Sequence, residues 1–255
     1  MLYLRATISL ALLGCAAWSL PGGGAALREF ASWFARPARL PFAWNAVDDA
    51  HARGDAQEAF ARGQQILALV PSWTIGHAAF AYRYALTQDQ RGSAQQQAAA
   101  AHRRLNVALG WLEQARAHAG HREAELLHSA AFLAPTACAQ FPGLEARLPD
   151  GGAAAITDAY FAEAERRSSS DAVREQRLFH FPTLAAALLD AGQRTAALAV
   201  LDNAAARAGE ARDQELAQEW RARVVEAARR LRGDGPAPDA VLADPRFEPL
   251  WPHLR

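Results

Sequence analysis

"FPTLAAALLDAGQRTAALAVLDNAAARAGE", Phe181 to Glu210, decides the fold. An apolar or small residue stands at every third or fourth position, the pattern stops at Ala191-Gly192, and it then resumes. That period lines the residues along one face of a helix, and the glycine ends one helix before the next begins. Two helices joined by so short a turn lie antiparallel as a hairpin. A run of such hairpins is an α-solenoid, a class of fold that builds binding surfaces.

The composition agrees. With 255 residues and 51% hydrophobic content the chain can bury a substantial core. Lys+Arg and Asp+Glu both count 27, so there is no global basic field, and nucleic acid is not an expected partner. Every basic side chain other than histidine is Arg, Ala dominates the apolar residues, and Val and Ile are scarce. Ala is the strongest helix former and the β-branched residues favour strands, so helix is expected throughout. Two cysteines, Cys15 and Cys138, are too few for a disulfide scaffold.

The amino-terminal stretch "MLYLRATISLALLGCAAWSLPGGGAALREF" reads as an export or anchoring segment. Its strongly apolar part, Ala6 to Leu20, is shorter than the roughly 20 residues of a spanning helix unless Leu2 to Leu4 are included, and the length suits a signal sequence. Leu12-Leu13-Gly14-Cys15 resembles the bacterial lipoprotein signal, which makes Cys15 a lipidation candidate; Leu13 departs from that pattern, where a smaller residue is usual. An uncleaved anchor and cleavage near Ala26 are the alternatives. Arg28, Arg36 and Arg39 follow the apolar run while Arg5 precedes it, a bias that by the positive-inside rule opposes export. Leu27, Phe30 and Phe34 recur at helical spacing, as in a helix on a membrane surface or one packed on the first hairpin. The expected location is the cell envelope, with an inner-membrane anchor or a lipid holding a periplasmic body. Pro37 and Pro41 set the boundary between a segment and linker at 1–39 and a helical body at 40–255.

Within the body, helices from Ala43 and from Ala56 flank Gly54-Asp55, with Ala59 at the expected crossing and Pro71 at the exit. This pair resembles a tetratricopeptide repeat. His77, Phe80, Ala81 and Tyr84 continue the family's first-helix spacing, and Ala101, Leu105 and Ala108 its second. The match is closest in the opening stretch, with Phe181, Leu184, Ala185 and Leu188 followed by Ala197, Leu201 and Ala204. Ala46, Val47, Ala50 and Gly63 replace the family's signature residues, and the turn after Leu86 is too long for it. The resemblance covers roughly residues 40 to 255 and implies a right-handed solenoid of antiparallel hairpins. A helix from Ala211 to Leu231 is expected to cap it, with Phe247, Leu250 and Trp251 of the tail folding back on that helix. Pro182 either starts its helix or kinks one that began at Asp171, and "APTACAQFPGLEARLPDGG" is expected to be a long loop.

Chemistry is sparse in the sequence. His121, Glu125 and His128 share a helix face near His118, but their spacing is not a zinc signature, and no metal is expected. Cys138 is a nucleophile only if a histidine approaches it, and Asp48 and Asp49 cannot face one another on a helix. No G-x-S-x-G, P-loop or dinucleotide motif occurs, so neither catalytic residues nor cofactors are expected. Arginines gather in the first two hairpins, at Arg53, Arg62, Arg83, Arg103 and Arg104, and Arg grips carboxylates well. The family resemblance implies a peptide groove lined by first helices, which selects Asn45, Asp49, His77, Arg83 and Tyr84. The expected function is a membrane-tethered scaffold that binds a partner protein or peptide. An enzyme with a pocket between the His121 helix and the loop at 135–151, and a spacer with no dedicated ligand, are the rival readings.

Overall fold

The computed structural model describes residues 41–88, 92–235 and 239–255, and the protein is all-α, with no strand among the described residues. The amino-terminal segment, Cys15 included, lies outside them. No helix among the described residues is long and apolar enough to cross a membrane. The chain divides into two compact units, meeting in sequence at Val70 and Pro71.

The first unit contains α1 (41–52) and α2 (Ala56–Leu69). Gly54, at φ +74°, closes α1: its N–H reaches the His51 carbonyl and the Asp55 N–H reaches that of Ala50. This is the Schellman arrangement, which needs the left-handed conformation that glycine adopts without penalty. Asp55 then caps α2 by accepting from the Glu58 N–H at 2.8 Å. One residue thus finishes one helix and starts the next. Val47, Ala50, Ala59, Phe60, Ile66 and Leu67 are buried in this unit.

The second unit begins with α3 (Thr74–Ala85), packed on the long α4 (Ala94–Ala119). Ser93 and Gln96 form a reciprocal capping box at the start of α4. Next come α5 (Glu123–Ala131), α6 (Leu133–Gln140) and α7 (Gly152–Arg167), with α5 packed chiefly on α7. The Tyr82 hydroxyl donates to the Ser129 carbonyl at 2.8 Å and so ties α3 to α5. Leu105, Leu112, Leu126, Leu133 and Leu144 fill this half of the core, between alanines at the helix contacts.

The expected loop at 135–151 is partly helical, the rest being turns and irregular backbone. It holds most of α6 and a 3₁₀ turn at Glu145–Arg147. Pro135 falls in the first turn of α6, where its missing N–H has no intrahelical partner to lose, and Leu133, Ala134 and Ala137 are buried.

The sequence then forms α8 (Asp171–Asp190), α9 (Arg194–Arg207) and α10 (Gln214–Arg232), each packed on the helix before it. Helix α8 runs through Pro182, the second of the two readings open in the sequence. Gly192, at φ +73°, closes α8 as Gly54 closes α1: it reaches the Leu189 carbonyl while the next residue, Gln193, reaches that of Leu188. Helix α10 starts later than the sequence suggests, because Asp213 caps it and Ala208–Glu210 form a 3₁₀ turn.

The tail folds back, with Phe247, Leu250 and Leu254 fully buried beside Trp220, Val224 and Phe181. The Phe247 and Trp220 rings lie 4.8 Å apart. Asp244 pins the turn that delivers them: it accepts from the Arg246 N–H at 3.1 Å, from the Arg246 guanidinium at 2.7 and 2.9 Å, and from Arg223 at 2.6 Å. Burial raises the Asp244 pKa, but the Arg246 hydrogen bonds and both charges outweigh it and hold the carboxyl below its usual value. The Arg246 guanidinium also lies 5.3 Å from the ring centres of both Phe179 and Trp220. Phe247→Ala should lower the unfolding free energy by about 3–5 kcal/mol, the usual loss for a buried phenylalanine, as read from urea denaturation. An unchanged midpoint would mean that the tail is not part of the core.

Candidate functional site

The C-terminal ends of α7 and α9 and the first turns of α8 meet at one end of the second unit, where they form a cleft of about 370 Å³. Glu165 of α7, Arg174 of α8, Arg207 of α9 and Glu210 of the following 3₁₀ turn line it. Helix polarity favours cations at the ends of α7 and α9, where Arg166, Arg167 and Arg207 stand, and an anion at the start of α8, where Asp171 stands.

Glu165 joins two arginines, accepting from Arg177 at 2.7 Å and from Arg207 at 2.7 Å. Arg177 also takes both oxygens of Asp158, at 2.7 and 3.1 Å. Beneath them the Phe181 ring lies 5.5 Å from the Arg177 guanidinium carbon and 5.7 Å from that of Arg207. Such stacking suits the flat, weakly hydrated guanidinium. Glu210 binds Arg207 from the other side, at 2.7 and 3.1 Å.

The two carboxylates of Arg207 are not equivalent, since the Glu165 side chain is 13% exposed and that of Glu210 is 39% exposed. The hydrogen bond from Arg207 holds the Glu210 carboxyl below its usual pKa against the effect of burial, and Arg174 and Arg177 add to it. Arg174 pairs with Asp171 and donates to the Ser169 carbonyl at 3.2 Å, both through Nη2. Among the described residues, no hydrogen bond forms to its Nε or Nη1.

A band of rings crosses α5, α7 and α8. His128 lies 5.2 Å from Phe132 and 5.9 Å from Phe161, and Phe161 lies 5.8 Å from His180. The His180 Nε2 bonds the Ala154 carbonyl at 2.9 Å. Burial lowers the pKa of both imidazoles.

The residues selected from the sequence fall in different surroundings. Asn45 and Asp49 are exposed on α1 of the first unit. His77, Arg83 and Tyr84 share α3 of the second, but of these only Arg83 is exposed, and Tyr84 packs partly on the core. His77 is 4% exposed, bonded through Nε2 to the Pro71 carbonyl at 3.0 Å and stacked on Trp111.

His128 turns to the aromatic band, and Glu125 pairs with Arg122. No group of three metal-ligating side chains comes together among the described residues. Burial, with a hydrogen bond to Glu145, pushes the Cys138 thiol well above its usual pKa, the reverse of what activates a nucleophile. The cleft residues were not singled out from the sequence. Their only local sign is the one-turn spacing of Arg174 with Arg177 and of Arg207 with Glu210. Comparison with known proteins returns no match to a family model, a curated protein or a solved structure.

Two outcomes are expected. Glu165→Ala strips carboxylate from two largely buried arginines and should destabilise the fold by roughly 2–3 kcal/mol, whereas Glu210→Ala should cost less than about 1 kcal/mol, both read by urea unfolding. His77, His128 and His180 are held neutral in the fold and protonate more readily when unfolded. Their contribution is therefore present above the ordinary histidine pKa and is lost as pH falls below about 6.5. Melting temperature should decline from pH 7 to pH 5 at constant ionic strength, less steeply in His180→Gln.

Proposed function

We propose that α3 to α10 are a right-handed solenoid of tetratricopeptide-like hairpins, that α1 and α2 are a hairpin of the same kind, and that the protein binds a partner protein or peptide. The reading includes a membrane tether within residues 1–39, through an uncleaved anchor or a lipid on Cys15, and a place in the cell envelope. The observation that carries it is the charged cleft between α7, α8 and α9, where guanidiniums and carboxylates from successive helices meet at the surface. Fixed, oppositely charged groups give an interface its register and discriminate against wrong partners. Neighbour-on-neighbour packing from α7 to α10 supports the solenoid. So does the recurrence of one glycine turn at Gly54 and Gly192. On the family resemblance, the partner-binding positions are Asn45 and Asp49 in the first unit and His77, Arg83 and Tyr84 in the second.

Affinity capture of the full chain from solubilised membranes, followed by mass spectrometry, tests the reading. A reproducible partner should be recovered. Its yield should fall by about tenfold or more when Asp49→Arg and Arg83→Glu are combined, which corresponds to losing roughly 1.4 kcal/mol or more of binding free energy. Recovery of the same proteins with wild type and variant would remove the groove, and a bound small molecule without any partner would overturn the function.

A further inference from the structure

We propose that Glu210 sits in a carboxylate seat on Arg207 that an acidic side chain of the partner takes over, so that the cleft docks an acidic segment of a partner protein. The inference rests on the protein-binding reading above and gives that partner its chemistry.

Arg207 is gripped from two sides by unlike groups. Glu165 is largely buried and shared with Arg177, so its departure would break ion pairs to two guanidiniums at once. Glu210 stands on a three-residue 3₁₀ turn, is more exposed, and spends all its side-chain hydrogen bonds on Arg207. Removing Glu210 leaves Arg207 still bonded to Glu165 and still stacked on Phe181. The guanidinium therefore keeps its place while its outer edge opens.

Across the cleft, Asp171 and the Ser169 carbonyl hold Arg174 through Nη2, and its Nε and Nη1 have no hydrogen-bond partner among the described residues. An incoming carboxylate thus meets Arg207 and a second guanidinium together, which Glu210 does not do through any hydrogen bond. Three guanidiniums, Arg174, Arg177 and Arg207, stand against four carboxylates, Asp158, Glu165, Asp171 and Glu210, so an incoming carboxylate enters by replacing Glu210 and not by adding to it. At about 370 Å³ the cleft admits a side chain and its flanking backbone.

A free small carboxylate is the poorer occupant. Glu210 is tethered, so its effective concentration is in the millimolar range, and an exposed ion pair contributes too little for one free carboxylate to displace it. A segment with several acidic residues brings flanking contacts and rebinds before it escapes.

The test is fluorescence anisotropy of the full chain with a fluorescein-labelled peptide of alternating Glu and Ser, its ends blocked. A Lys-Ser peptide serves as control. Glu210→Ala should tighten the acidic peptide by about fivefold, the effect of removing an internal competitor of exposed-ion-pair strength. Adding Arg174→Gln should abolish that gain, and the control should not gain. A merely structural Glu210 would give equal or weaker binding on substitution, and that result, with the circular dichroism unchanged, overturns the proposal. Displacement of the peptide by N-acetylglutamate at equal concentration would also overturn it, in favour of a small-molecule site. If capture from membranes still yields groove-dependent partners while peptide binding ignores Glu210, the acidic seat alone fails. If no partner is captured at all, the protein-binding reading fails with it.

Discussion

Alanine at the helix contacts is the constraint from which the rest of the body follows. Ala81, Ala101, Ala108, Ala185, Ala197 and Ala204 are fully buried, each on a helix face that packs against a neighbour. A methyl group lets two helices approach to the short end of the usual 8–10 Å separation. It also supplies little transfer free energy, because so few carbons leave water. Cohesion therefore falls to a few large side chains placed between the alanines: Leu105 and Leu112 in one half of the second unit, Phe181 and Trp220 in the other. This explains why the final turns matter out of proportion to their length. Phe247, Leu250 and Leu254 add to that short supply of bulk, and the Asp244 carboxylate with its two arginines holds them there.

The parts of the fold legible in the sequence are those whose determinants are local. The hairpin from Phe181 to Glu210 could be read because its period and its glycine both lie within one short stretch, and Gly54-Asp55 served equally well in the first unit. Helix α6 could not be read that way. Its eight residues include Pro135 and are followed closely by Pro142 and Gly143, and burial of Leu133, Ala134 and Ala137 against other helices, not propensity, makes them helical. His77 marks another limit, since spacing assigned it to a helix face while only packing against Trp111 placed that face in the interior. The cleft was least legible of all. Asp158 and Glu165 come from α7, Arg177 from α8 and Arg207 from α9, and ion pairing between different helices has no period to detect.

The chemistry of the cleft suits recognition. Glu210 is held below its ordinary pKa and Arg207 above its own, so neither exchanges a proton near neutrality. Groups that carry fixed charge through the physiological range give orientation and selectivity, whereas proton transfer calls for a group poised near the working pH. The imidazoles nearest the second core lie in the aromatic band, where their neutral forms pack as rings.

The turn at Gly192 has a mechanical consequence. Gln193 completes the end of α8 and also begins α9, so the joint contains no slack, and the two helices move as one stiff lever. The cleft lies at the other end of that lever, where Arg174 and Arg207 sit. Its width cannot be adjusted by splaying α8 from α9 without breaking the turn. On the opposite flank, α7 is joined to α8 through Ser168, Ser169 and Ser170, a polar link with no side-chain cap on the following helix. On that flank the pairing of Glu165 with Arg177 and Arg207 ties α7 to α8 and α9, so side chains hold the wall of the cleft where the backbone link is polar and uncapped.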